Sequence, residues 1–304
     1  MIQNPWPELN LDDWQDTCTT LHLWTQIIGK IRLVQTPWIN HSWHVPMYLT
    51  TRGLTTSNIP YGNRVFQIDF DFLNHHLWIA TSEGHSKTVD LRPRSVADFY
   101  QAVMQALQEL EIAVVINTLP NEIPDPIAFD QDDTHASYDG AAAQRFWRVL
   151  LQSDRVFQEF RSHFCGKVSP VHFFWGSFDL AVTRFSGRPA PEHPGGVPNL
   201  PDEVAREAYN QEVSSAGFWP GTGLGYPAYY AYAYPTPAGF AEFPVQPEEA
   251  FFNSSLGEFI LPYEAVRTAN HPDQKLLSFL QSTYDAAASL ADWDMKALQQ
   301  TWFK

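Results

Sequence analysis

An α+β protein, with an antiparallel sheet and covering helices occurring twice along the chain, is the fold class that the sequence predicts. Three observations predict it. Apolar residues switch between a helical period and strict alternation. The resulting elements occur in the same order in both halves, and residues echo between those halves at equal spacing.

Residues 12–28 read as a helix. Asp12 or Asp13 can cap it, Trp14, Leu21, Trp24 and Ile28 supply the apolar positions, and Gly29 is its expected stop. The period then becomes two. Phe66, Ile68, Phe70 and Phe72 alternate with Gln67, Asp69 and Asp71, the pattern of a half-buried strand. Asn74-His75 turns the chain into a strand at Leu77-Trp78-Ile79, and Ser82-Glu83-Gly84 makes the next turn. Ser95 caps a second helix that carries Val96, Phe99, Val103, Leu107 and Leu110. Ala113–Ile116 reads as a short buried strand. A long helix begins near Gly140, carries Phe146, Val149, Leu150, Val156, Phe157, Phe160 and Phe164, and is expected to end at Gly166. Strands follow over residues 172–184, 230–234 and 258–261, with a short helix over 202–211 and a last helix over 273–290. The Tyr229–Tyr234 run reads as a strand with tyrosines on one face.

The division predicted is a first unit at residues 1–119, a Pro/Asp-rich linker at 120–139, and a second unit at 140–304 with a Pro/Gly-rich loop at 186–201. Gly29-Lys30-Ile31 echoes Gly166-Lys167-Val168. Trp43 and Thr51-Arg52 recur as Trp175 and Thr183-Arg184. On this reading each unit is a helix, a four-stranded antiparallel sheet and a helix. Two such sheets joined edge to edge would form one continuous curved sheet covered by helices, which also removes exposed edges.

Composition narrows the function. In 304 residues, 44% are hydrophobic and 17% charged, which supports a filled core; 11 Trp call for a large core or an aromatic-lined cavity. A net charge of −15 repels phosphate backbones and anionic lipid, so neither nucleic acid nor a membrane is an expected partner. Cys18 and Cys165 form no CxxC or Cys/His pattern. Both are expected as reduced, buried helix residues. The N-terminal residues show no signal-peptide pattern, which points to the cytoplasm.

Over nearly its whole length the chain resembles a family of uncharacterised, mostly bacterial proteins classed as a domain of unknown function. The resemblance is carried above all by Ser169-Pro170-Val171-His172-Phe173-Phe174-Trp175-Gly176-Ser177-Phe178-Asp179. Residues 20–26, 40–46, 184–191 and 214–220 carry it further. It implies no activity, cofactor or catalytic residue.

The leading functional expectation is a small-molecule-binding protein, open to enzymatic use, with an aromatic-lined pocket. Its candidate residues are His41, Trp43, His44, Arg52, His172, Trp175, Asp179, Arg184, Arg188 and His193. Aromatic walls with a few fixed polar groups are the usual makeup of such a site. If residues 172–184 form one regular strand, Asp179 shares a face with Phe173 and Trp175. Buried there, it needs a partner, and Arg52, Arg184 or Arg188 could supply one. A metal-dependent hydrolase using these histidines is an alternative, although His41 and His44 reach one metal only if residues 40–45 turn. A non-catalytic protein-interaction module is another. No HExxH, GxSxG or phosphate-cradle motif is present.

Overall fold

The computed structural model describes residues 5–299. Helix α1 (Gln15–Gln35) runs past its expected stop. Gly29 lies inside it because a Cβ there would sit 2.3 Å from the Trp175 indole. The glycine permits close approach and does not end the helix. Leu21, Leu23, Trp24, Ile27, Ile28 and Ile31 are all buried, so α1 is covered on several sides, as a helix between layers must be.

Six short strands follow: β1 (Tyr48–Leu49), β2 (Gly53–Thr55), β3 (Ile59–Tyr61), β4 (Arg64–Asp71), β5 (His76–Thr81) and β6 (Ser86–Asp90). They form an antiparallel sheet in the order β1-β2-β4-β5-β6, with β3 also on β4. Ile68 pairs with Ile79 and Phe70 with Leu77, and these side chains join the core shared with α1 and with α2 (Val96–Glu109). The Ser95 hydroxyl accepts from the Asp98 N–H at 3.1 Å, the expected cap. Residues 113–116 are not a strand. Val114 and Ile116 are buried while Val115 is 89% exposed, so they run extended but unpaired to either sheet.

Asp139 caps α3 (Gly140–Ser162), which ends four residues short of Gly166. Cys165 therefore lies outside the helix and is exposed, contrary to expectation, whereas Cys18 is buried in α1. The second sheet comprises β7 (His172–Phe174), β8 (Asp179–Pro189), β9 (Gln211–Trp219), β10 (Ala228–Tyr234), β11 (Phe251–Asn253) and β12 (Glu258–Pro262). Its order is β11-β12-β10-β9-β8-β7, antiparallel throughout. A short helix α4 (Asp202–Ala208) precedes β9; α5 (Tyr263–Arg267), α6 (Pro272–Leu290) and α7 (Met295–Leu298) follow β12.

Residues 172–184 are thus a hairpin, with Trp175–Phe178 as its turn. Pairing sets Phe174 opposite Asp179 and His172 opposite Ala181. The reversal puts His172 and Phe174 on the Asp179 face and Phe173 on the other, which inverts the assignment made for one regular strand. On that other face Arg184 stacks 3.4 Å over Phe160, and the Tyr229 hydroxyl meets the Ser153 hydroxyl at 3.0 Å. Helix α3 therefore covers this side.

Each sheet has six strands rather than four. The two meet edge to edge at one point, where Met47 and Phe173 exchange both backbone hydrogen bonds at 2.9 Å. The echoed residues fall on different elements. Gly29-Lys30 is helical and Gly166-Lys167 is not; residues 43–52 cross a loop, β1 and a turn, while 175–184 cross a turn and β8. Those matches do not mark a structural repeat. Residues 186–189, expected in the loop, continue β8. Among the described residues no helix is long and apolar enough to cross a membrane.

The Gly29–Trp175 contact makes a prediction whose sign is informative. By helix propensity alone Gly29→Ala should stabilise by about 1 kcal/mol. Against the indole it should instead destabilise, by about 1–3 kcal/mol, as overpacking does. Urea unfolding decides; a more stable variant would show that the contact is loose.

Candidate functional site

The face of the second sheet turned away from α3 lines a cavity of about 720 Å³. Its floor follows from register. Asp179, Ala181 and Thr183 on β8 share a face with Ser215 and Gly217 on β9 and with Tyr230 and Tyr232 on β10. Walls come from Trp43, Phe174, Phe178, Phe185 and Trp219. Helix α1 contributes His22, whose Nε2 lies 2.8 Å from the Gly176 carbonyl and whose ring stacks on Phe178 at 5.0 Å.

Segments that looked like linker and loop are tied together beside the cavity. Gln26 of α1 donates to the Asn121 carbonyl at 2.9 Å and accepts from the Asn121 N–H at 2.8 Å. Asn121 in turn reaches the Asn199 carbonyl, Asn199 reaches the Ile123 carbonyl, and the Glu122 N–H donates to the Pro198 carbonyl. This two-strap zipper carries Glu122 to the cavity. Ser177 Oγ donates to its carboxylate at 2.6 Å.

Asp179 is the best-defined polar group. Gly217 leaves room for the Tyr230 ring, since a Cβ there would meet the phenol at 2.4 Å. The Tyr230 hydroxyl donates to Asp179 Oδ2, while buried Oδ1 has no partner. Burial lifts the Asp179 carboxyl to about 7; Glu122 and Glu258 push it up further, against the Tyr230 hydrogen bond and a weaker contribution from the residue's own backbone N–H. Burial likewise raises Glu258 to about 7 and holds Glu122 above the usual carboxylate range. Tyr230, deeply buried, stays a neutral donor. The Tyr209 and Tyr232 hydroxyls meet at 2.7 Å, and Thr183 and Ser215 at 2.8 Å. His22 is held neutral by burial, at about 4.

Of the residues expected at a site, His41, Trp43 and Asp179 line the cavity. Lys167 donates to His41 Nε2, the Ala208 carbonyl engages Nδ1, and burial first of all lowers the His41 pKa. His193 stacks on the cavity-lining Tyr209 at 4.6 Å without being in the lining itself. The others lie elsewhere. His44 Nδ1 is engaged by the Ile39 backbone. His172 is fully buried among Trp43, Tyr48 and Phe174, with both nitrogens unpartnered; burial drives it down to about 3. The Trp175 indole donates to the Val45 carbonyl at 2.9 Å and packs on α1.

None of the three arginines reaches Asp179. Arg52 pairs with Asp71 on the first sheet at 2.7 Å. Arg184 stacks on Phe160, Phe164 and Tyr284 on the opposite face, where burial lowers it to about 9. Arg188 binds Glu212 and the Ala291 and Asp292 carbonyls. Tyrosine does the work that arginine was expected to do. His22, Glu122, Tyr230, Tyr232 and Glu258 were not foreseen as site residues. Alternation along residues 230–234 was a usable signal for the tyrosines; their register against Asp179 was not readable.

Residues 40–44 do turn, yet His41 and His44 are both spoken for. Among the described residues no group of three or more His, Cys, Asp and Glu side chains could hold a metal ion.

No curated protein and no solved structure matches the chain. The family model of DUF5996, described as a family of unknown function, matches residues 6–300, and the protein therefore belongs to that family.

Proposed function

We propose that the protein binds a small organic molecule in the cavity above β8, β9 and β10. The observation that carries this reading is a 720 Å³ space with aromatic walls, whose floor includes a buried carboxyl with one oxygen lacking a hydrogen-bond partner. Cavities of this size suit small ligands, and a lone buried acceptor costs stability unless a partner arrives. Asp179 is the anchor on this reading, oriented by Tyr230; Thr183 and Ser215 offer hydroxyls beside it.

A second reading has an observation of its own. A carboxyl held to about 7 beside a tyrosine is in the range that a general acid–base needs. Asp179→Asn would then still bind the ligand but leave it unconverted.

A fragment library of neutral, cationic and anionic molecules, read by ligand-observed NMR, tests occupancy. Ala181 is on the cavity floor, so Ala181→Phe should abolish binding of the hits while costing about 1–3 kcal/mol of stability. Hits that bind the folded variant undiminished would place the site elsewhere.

The same carboxyl makes a pH prediction. Folded, Asp179 keeps its proton to about 7. Unfolded, it loses it near pH 4. Between these values the folded state binds the extra proton, so this group's contribution falls as pH rises from about 4 to about 7. Glu258 acts with the same sign. Neutral buried His22 and His172 act oppositely, lowering stability as pH falls below about 6.5. Asp179→Asn removes only its own share. Relative to wild type it should gain on the order of 3 kcal/mol between pH 5 and pH 8 in urea unfolding. A difference independent of pH would rule this out.

A further inference from the structure

We infer that the ligand is an organic cation, a primary or secondary ammonium on an apolar or aromatic body, whose N–H donates to Asp179 Oδ1. This rests on the reading that the cavity binds a small molecule and adds the ligand's chemical class.

Three observations carry it. First, Asp179, Glu122 and Glu258 all line the cavity, yet no lysine or arginine is among the described lining residues. Acidic side chains in a protein interior are ordinarily paired. Here Glu122 and Glu258 add to the burial that raises the proton affinity of Asp179. The histidines do not compensate. Buried His22 is neutral, and His41 is tied to Lys167 and the Ala208 carbonyl. Lys167 is not in the lining; its ammonium lies over the Trp43 and Phe185 rings of the cavity wall, 5.5 and 4.6 Å from their centroids, and is not among the Asp179 hydrogen-bond partners.

Second, Asp179 is 6% exposed and belongs to the cavity lining, with Oδ2 satisfied by Tyr230 and buried Oδ1 unpartnered. That oxygen is an acceptor that lacks a donor. A quaternary ammonium, which has no N–H, would leave it unmet; a primary or secondary ammonium would not.

Third, the walls are aromatic faces. Trp43, Trp219, Phe174 and Tyr232 surround the space, and aromatic rings attract a desolvated cation while accepting an apolar body. An anionic ligand would meet three carboxyls. A neutral one would leave them without a counter-ion.

The ammonium enters charged, so Asp179 must give up its proton to solvent. Binding therefore strengthens as pH rises through about 7. Glu258, which burial also lifts to about 7, and Glu122, raised by burial, face the same group and act with the same sign. Tyr209, Tyr230 and Tyr232 remain protonated, because burial raises each.

The test uses matched probes on the full chain by isothermal titration calorimetry: 2-phenylethylamine, benzylamine and 1,4-diaminobutane, against 2-phenylethanol, N,N,N-trimethyl-2-phenylethylammonium and 3-phenylpropionate. At least one amine is expected to bind with Kd of about 1 mM or tighter. It should exceed its alcohol and its trimethyl analogue by about tenfold or more, a gap that one charge-assisted hydrogen bond supplies. Proton release should be seen at pH 6, from heats that depend on the buffer. Asp179→Asn, close in shape and still able to accept from Tyr230, should lose about tenfold and release no proton. Glu258→Gln provides a second variant if the first does not fold.

Alcohol or propionate binding as tightly as the amines, in a manner lost in Ala181→Phe, would overturn the cationic ligand and leave the cavity reading standing. No amine binding at pH 8 up to about 10 mM would overturn the inference as well. Fragments of other classes would then decide the cavity reading separately.

Discussion

The cavity depends on how α1 meets the turn between β7 and β8. Gly29 brings the helix backbone against the Trp175 indole, and the indole is fixed by its bond to the Val45 carbonyl. Two turns before Gly29, His22 binds the Gly176 carbonyl and stacks on Phe178. Phe178 has a φ of +58°, unusual for a bulky residue. Its ring packs on His22, Phe146 and Phe173, and this packing holds the conformation in place. The chain leaves that turn directly into Asp179. Displace α1, and the carboxyl loses its position.

From this one contact the rest follows in order. The turn sets the register of β8, with Phe174 opposite Asp179. Register divides the second sheet into a helix-covered face, where Arg184 and Tyr229 are buried, and a face left open by the helices. On the open face small residues alternate with large ones: Ala181, Ser215 and Gly217 make room, and Tyr230 and Tyr232 fill part of it. The zipper of Gln26, Asn121 and Asn199 then brings Glu122 to the cavity. A site assembled this way takes its polar groups from stretches far apart along the chain, from His22 to Glu258.

That separation explains what could and could not be read in the sequence. The alternation Phe66-Ile68-Phe70, the Ser95 cap, the Tyr230–Tyr234 strand and the last helix are local patterns, and each is where its period places it. Gly29 was misread because a stop signal and a packing contact look alike without the partner, Trp175, 146 positions away. The hairpin at Trp175–Phe178 had a usable marker in Gly176-Ser177, but the apolar and aromatic residues on both sides read as one continuous strand. Trp43, His41 and Asp179 could be named from aromatic density with interspersed polar groups. Glu122 and Glu258 could not, since nothing local distinguishes them from a solvated acid. Arg184 was assigned to the site on charge, but its parity along β8 sets it on the core side, where three aromatic rings receive its guanidinium.

The central claim is that Asp179 stands in the free protein as a buried carboxyl awaiting a partner. Site-resolved carbon-13 NMR of its side-chain carboxyl, titrated from pH 4 to pH 9 without ligand, measures this directly. A midpoint near 7 is predicted. A midpoint near 4, the value of an exposed aspartate, would contradict it.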